Sequence, residues 1–222
     1  WACRADGNVR TWSLTDFKLR ASWQVDRKTG RETTLPLNAA AFSADGTKLA
    51  VGDKIGHVLL YESSGMLLCE LLSADSDVES LAWSPGARLV AVGTKHGSLR
   101  LDHDDGIPVH MLAGFPLEVI SIKFHPGGRW ILAAGRSGMK MWDVMTGEQL
   151  FTGPYAPWDI SRDGRCFAGG SMQGVAFCDY VMPRAVLQLS GHRVQAEQIV
   201  WSRDSKHMVS MDTSFEVRVW DV

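Results

Sequence analysis

The sequence predicts an all-β fold, on three observations. Short apolar segments such as "KLAVG" and "HVLLY" alternate with turn-forming clusters rich in Gly, Asp and Ser. These segments recur with a fixed period. No stretch carries the apolar spacing of an amphipathic helix.

Taken in order, residues 5–17, "ADGNVRTWSLTDF", match only the end of a repeat, so a partial repeat occupies residues 1–17. The segment "DRKTGRETTLPLN" (26–38) lengthens the next step, 48 residues from Trp12 to Leu60 against 41 elsewhere, and its polar composition predicts an extended surface loop. Three full copies follow. "AFSADGTKLAVGDKIGHVLLYESSG" (41–65), "AWSPGARLVAVGTKHGSLRLDHDDG" (82–106) and "KFHPGGRWILAAGRSGMKMWDVMTG" (123–147) stack without a gap at a spacing of 41 residues. Gly56, Gly97 and Gly138 fall in one column, and Gly65, Gly106 and Gly147 in another. Two weaker copies complete the series, "DISRDGRCFAGGSMQGVAFCDYVMP" (159–183) after a step of 36 and "VWSRDSKHMVSMDTSFEVRVWDV" (200–222) after a return to 41. Repeats are thus expected to end near 65, 106, 147, 183 and 222, within a single domain spanning 1–222.

Inside each copy the pattern reads strand, turn, strand, turn, strand. In the first these are "AAAFS", "ADG", "KLAVG", "DKIG" and "HVLLY". A fourth strand fits between copies, as "MLLCELL", "VHMLA", "EQLF" and "AVLQL". Four short strands in about 40 residues is the pattern of a β-propeller blade. The prediction is therefore a propeller of four-stranded antiparallel blades, about five full repeats plus a partial one.

The segments "MKMWDVMTG", "VRVWDV", "VRTWSL" and "LSGH" carry a family likeness. The chain resembles the WD-repeat β-propellers, whose repeats run from a Gly-His pair to a Trp-Asp pair. In that family a Trp of the third strand, a Ser or Thr of the second, an Asp in the turn between them and the His of Gly-His form a buried hydrogen-bonded network. The resemblance implies such a network around His192, Ser210 and Trp220, where the turn position carries Ser214 with Asp212 nearby. Elsewhere the network is eroded, because the Gly-His slot reads "AGF" at Gly114 and "TGP" at Gly153. A polar network is useful only when its members satisfy one another, so apolar packing is expected to hold these blades. Leu60, Leu101, Met141, Phe177 and Val219 are expected near the blade cores, with Phe42, Trp83, Phe124 and Trp201 on the inner strands. Seven blades are commonest in the family, so the resemblance also implies a ring incomplete at both ends, whose missing strands the rest of a longer parent chain supplies. A first residue that is Trp rather than Met agrees with that expectation.

Composition narrows the function. A chain 45% hydrophobic and 22% charged, with a net charge of -2, reads as a folded soluble domain without a field that draws polyanions, so nucleic acid is not an expected partner. Its longest apolar runs fall far short of the roughly 20 residues that span a bilayer, so no membrane partner is expected and a cytoplasmic location is. Cys3, Cys69, Cys166 and Cys178 lack zinc-site spacing and read as small buried hydrophobes in a reducing compartment.

The stretch "LRLDHDDGIPVH" (99–110) is the densest group of ligand-type side chains. A calcium loop needs Gly at its sixth position and Glu at its twelfth; counted from Asp102 these are Ile107 and Ala113, so the template fails. Gapless stacking sets Asp102 opposite Asp143, whereas a one-residue slip would seat it in the Trp slot and exchange the strand's two faces. The two glycine columns favour the gapless register, which makes the cluster a turn. Catalytic motifs such as G-x-S-x-G, H-E-x-x-H and G-x-x-x-x-G-K-[ST] do not occur, and "GGSMQG" (169–174) falls on a second-to-third-strand turn. No catalytic residue, metal ligand or cofactor is expected.

These readings predict a non-catalytic protein-protein interaction scaffold, or the sensing module of a larger protein. A metal-assisted propeller enzyme of hydrolase type, with its site on the channel face, is the alternative. On the propeller fold, loops entering the innermost strand and turns between second and third strands converge at one face. By register these positions are Asn38, Glu79, Ile120 and Glu197, with Lys54, Lys95, Arg136 and Gln173 on the turns. A protein or peptide partner is expected there, and the 26–38 loop is a second candidate contact.

Overall fold

A computed structural model describes residues 2–3, 8–12, 15–25, 37–71, 74, 76–112, 114–153, 158–171, 174–179 and 186–222. Its described residues form six antiparallel sheets and no helix. Blade 1 holds β1 (Ala2–Cys3), β2 (Asn8–Trp12) and β3 (Leu19–Gln24). Blade 2 runs β4 (Leu37–Phe42), β5 (Lys48–Asp53), β6 (Val58–Glu62) and β7 (Leu67–Leu71). Blade 3 runs β8 (Val78–Trp83), β9 (Leu89–Thr94), β10 (Leu99–His103) and β11 (Pro108–Leu112). Blade 4 has β12 (Val119–Phe124), β13 (Trp130–Gly135), β14 (Gly138–Asp143) and β15 (Gln149–Gly153). Blade 5 has β16 (Trp158–Ile160), β17 (Cys166–Ser171), β18 (Gly174–Asp179) and β19 (Val186–Ser190). Blade 6 has β20 (Ala196–Trp201), β21 (His207–Asp212) and β22 (Val217–Asp221). These are the meandering blades of a propeller. They fall into two compact units, residues 1–119 and 120–222.

Within each unit, blades pack face to face. In the first unit Val9 of blade 1 meets Leu49, Val51 and Tyr61 of blade 2, and Leu60 and Leu71 of blade 2 meet Val78, Trp83 and Val92 of blade 3. In the second, Leu132 and Met141 of blade 4 meet Ile160 and Phe167 of blade 5, and Val175 of blade 5 meets Trp201 and Met208 of blade 6. Second strands are apolar along nearly their whole length because both their faces are covered, as in β9 and β13. Small residues let the sheets approach: a side chain at Gly52 would collide with Val78 of the next blade. Inner-strand tryptophans pin neighbours, Trp83 Nε1 donating to Ala41 O at 3.0 Å and Trp201 Nε1 to Asp159 O at 3.3 Å.

First-to-second-strand turns repeat one device. The hydroxyls of Ser43, Ser84, Ser161 and Ser202 each accept the N–H of the residue five positions on, at 2.9–3.1 Å. His125 takes the serine's place in blade 4; its Nδ1 accepts the Gly127 N–H and its Nε2 lies 2.9 Å from Gly164 O of blade 5.

Two expectations are corrected. Val219 is 67% exposed, on a face of blade 6 shared with Val200 and Val209 that carries no packed element among the described residues. Leu60, its counterpart in blade 2, is buried because that face packs on blade 3. The register of the acidic stretch is also one residue off the gapless stacking. Asp102 pairs with Val90 and Trp142 pairs with Ile131, the residue 41 positions after Val90, so Asp102 stands in the Trp column and His103 opposite Asp143. In both blades the pairing with the fourth strand also shifts just before this position, between Leu101 and Asp102 and between Met141 and Trp142. The glycine columns mislead because two turns differ by compensating amounts. In blade 4 the second-to-third turn closes directly through the Gly135–Gly138 pair, one residue shorter than in blade 3. Its third-to-fourth turn is one residue longer: Gly147 N bonds Asp143 O, whereas Gly106 N bonds His103 O.

Candidate interaction surface and the buried network

Three of the strand ends expected to form a contact surface share one irregularity. In β4, Leu37 pairs with Asp53 and Ala39 with Gly52, which leaves Asn38 as a bulged residue. Glu79 is bulged in the same way between Val78 and Ser80, and Glu197 between Ala196 and Gln198. A bulge adds a residue that has no place in the ladder and re-aims its side chain. Asn38 and Glu197 are exposed and Glu79 is half-buried. In the first unit the Asn38 amide donates to Val78 O at 3.0 Å, tying blade 2 to blade 3. The turns lie beside these bulges, because Leu37 pairs with Asp53 and Val78 with Thr94. Lys54 is exposed there, and Lys95 Nζ lies 3.5 Å from the Asp77 carboxylate. In the second unit Ile120 is 54% exposed in β12, and Arg136 is exposed on the turn after β13. Gln173 and residues 26–36 of the long loop lie outside the described residues.

Blade 6 holds a continuous hydrogen-bonded chain. Trp220 Nε1–H donates to Ser210 Oγ at 2.7 Å. The Ser210 hydroxyl donates in turn to His192 Nε2 at 2.6 Å, and His192 Nδ1–H to Asp212 Oδ2 at 2.9 Å. That direction of donation satisfies every member and fixes the imidazole tautomer. Asp212, rather than Ser214, is the acid that meets His192; Ser214 instead donates its N–H and its hydroxyl to Asp212 Oδ1. Those bonds, the Ser214 hydroxyl foremost, with the Glu216 N–H and His192, hold the Asp212 carboxyl down to about 2. Ligand atoms of His192, Asp212 and Glu216 lie within 4.8 Å of one another, the one such group among the described residues. Both imidazole nitrogens are engaged within the protein, so the histidine holds the network and has no lone pair left for a cation.

Blade 3 fills the Trp position with an ion pair. Asp102 is 1% exposed; its Oδ2 accepts Arg100 Nε at 2.7 Å, and its Oδ1 finds no hydrogen-bond partner among the described residues. Burial pushes the Asp102 carboxyl up, against the pull of Arg100. Its acidic neighbours serve the turn. Asp104 pairs with Lys48 of blade 2, and Asp105 Oδ1 accepts the Ile107 N–H at 3.1 Å. The carboxylates of this stretch therefore point to three different partners and do not converge.

Sheets of this kind, repeated in register with one buried Trp–Ser–His–Asp network, define a blade-repeat β-propeller protein. Comparison with protein families matches the WD domain, G-beta repeat, over residues 65–101 and 106–143. The chain carries WD repeats over those two segments. A comparison with curated proteins returns no match. No helix among the described residues is long and apolar enough to cross a membrane.

Proposed function

We propose that the chain is a non-catalytic interaction module, a scaffold or the sensing part of a larger protein, that takes a protein or peptide partner at its bulged strand ends. The observation that supports this reading is the recurrence of the bulge at Asn38, Glu79 and Glu197. Three strands of different sequence each release one residue from the ladder at the same end of the blade. WD repeats generally mediate protein-protein interaction, and rigid scaffolds carry contact residues on such ends. The metal-assisted hydrolase reading has less support, because the acidic side chains of residues 102–105 are committed to Arg100, Lys48 and the turn backbone.

Charge reversal tests the proposal unit by unit. Glu79→Lys with Lys95→Glu probes the first unit and Glu197→Lys the second, each used as bait beside the unchanged chain. Loss of a co-purifying protein with thermal stability held within about 0.5 kcal/mol is the expected result. Unchanged partners in both variants would refute the assignment of this end, and a metal-dependent hydrolytic activity lost in Asp105→Asn would favour the enzyme reading.

A further inference from the structure

A cleft of about 280 Å³ opens in the second unit between blades 5 and 6, at the end of the strands opposite the bulge of β20. Its volume is below that of most small-molecule pockets and suits one large side chain. One wall is aromatic: Phe177 and Trp201, ring centroids 5.8 Å apart, with Trp201 held by its bond to Asp159 O. Asp163, Asp179 and Arg165 stand on the lining. Asp163 is fixed by the turn, since its Oδ1 accepts the Ser161 hydroxyl at 2.6 Å and the Arg165 N–H at 3.0 Å. At Cys166 the two carboxylates together outweigh Arg165: burial first, then Asp179 and Asp163, push its thiol up to about 11.

We propose that this cleft is an anchor pocket for an arginine side chain of a partner peptide. A guanidinium stacks flat on an aromatic wall while its N–H groups reach carboxylates at the edge, a combination an ammonium or a neutral side chain cannot match. A single buried arginine is a common energetic centre of a protein interface. The site is separate from the bulged strand ends and stands whether or not they bind a partner.

The test uses the full chain, ¹⁵N-labelled, titrated with N-acetyl-arginine amide, N-acetyl-citrulline amide and N-acetyl-lysine amide. Backbone amides of Arg165, Cys166, Phe177 and Trp201 should shift and saturate with the arginine probe. Citrulline, which has the same shape without the charge, should bind at least about tenfold more weakly, as should the arginine probe to Asp163→Asn and to Asp179→Asn. Citrulline or lysine binding as tightly as arginine, or shifts absent from these four amides, would overturn the proposal. The citrulline arm needs no variant and so stands even if a substitution disturbs the fold.

Discussion

Blades 6 and 3 fill the same structural position with opposite chemistry. In blade 6, Trp220 pairs with Met208 and passes a hydrogen bond through Ser210 and His192 to Asp212. In blade 3 the counterpart of Trp220 is Asp102, and the residue paired with it is Val90, with Arg100 supplying the balancing charge. A satisfied network of neutral donors and one hydrogen-bonded carboxylate strengthens as it is buried. A buried ion pair instead carries a desolvation cost that attraction only partly offsets. The two blades keep nearly the same backbone register, so the backbone tolerates both. What differs is how each blade responds when one partner is removed.

The largest expected effect is in blade 3. Asp102→Ala leaves the Arg100 charge buried and should lower stability by about 3–5 kcal/mol, whereas Arg100→Leu combined with Asp102→Leu should stay within about 1 kcal/mol of the parent or exceed it. Urea denaturation of the two variants measures the gap; equal losses would show that the pair is not what Asp102 serves.

Blade 6 should respond in steps. His192→Leu removes two hydrogen bonds and leaves the Ser210 hydroxyl proton and Asp212 Oδ2 buried without their partner, for a loss of about 2–3 kcal/mol. Trp220→Phe keeps an aromatic ring, though a smaller one, and deletes the donor, and at least about 1 kcal/mol should be lost in the same assay. A double substitution at His192 and Trp220 should cost less than the sum, since one network is being dismantled.

Smallest at neutral pH, but opposite in sign, is the titration of the two acids. Asp212 is held down to about 2 from 3.8, so its stabilisation is full above 3.8 and is lost as pH falls through about 2. Asp102 is raised, so its contribution is full below 3.8 and is lost as pH rises through its folded value. Urea midpoints measured across acid pH should therefore fall less steeply toward low pH in Asp212→Asn, and decline less with rising pH in Asp102→Asn. Parallel curves for both variants would contradict the opposed environments.

Much of this was legible in the sequence because β-structure writes its faces with period two and its turns with glycine. The strands of blades 2 to 4 were readable on that basis, while His192, Ser210 and Trp220 were implied only by the likeness to WD repeats. The position of Asp102 was not. Two turns of blade 4 differ from those of blade 3 by one residue in opposite senses, and the offset cancels before the next glycine, so spacing alone hides it. The apolar alternation of "LRLDH" held the missing signal, since it placed Leu99 and Leu101 on one face and Arg100 with Asp102 on the other. Val219 was misread for a different reason: its alternation marks a face, but only a neighbouring blade buries it. The bulges left no distinctive trace in composition, because one Asn and two Glu are ordinary residues for any exposed strand end. The cleft between blades 5 and 6 joins residues far apart in sequence, from Ser161 to Val222, and only the fold assembles it.

The bulges bear on how such a chain changes over generations. A residue released from the ladder contributes little to its own sheet, so substitutions at Glu79 and Glu197 escape the filter that folding imposes on the residues flanking them, whereas Asn38 is held by its bond to Val78 O. The two glutamate sites can drift through charged, polar or aromatic side chains at nearly constant stability. The same freedom makes them grafting points, where a new specificity can be written onto the blades without redesigning what holds them together.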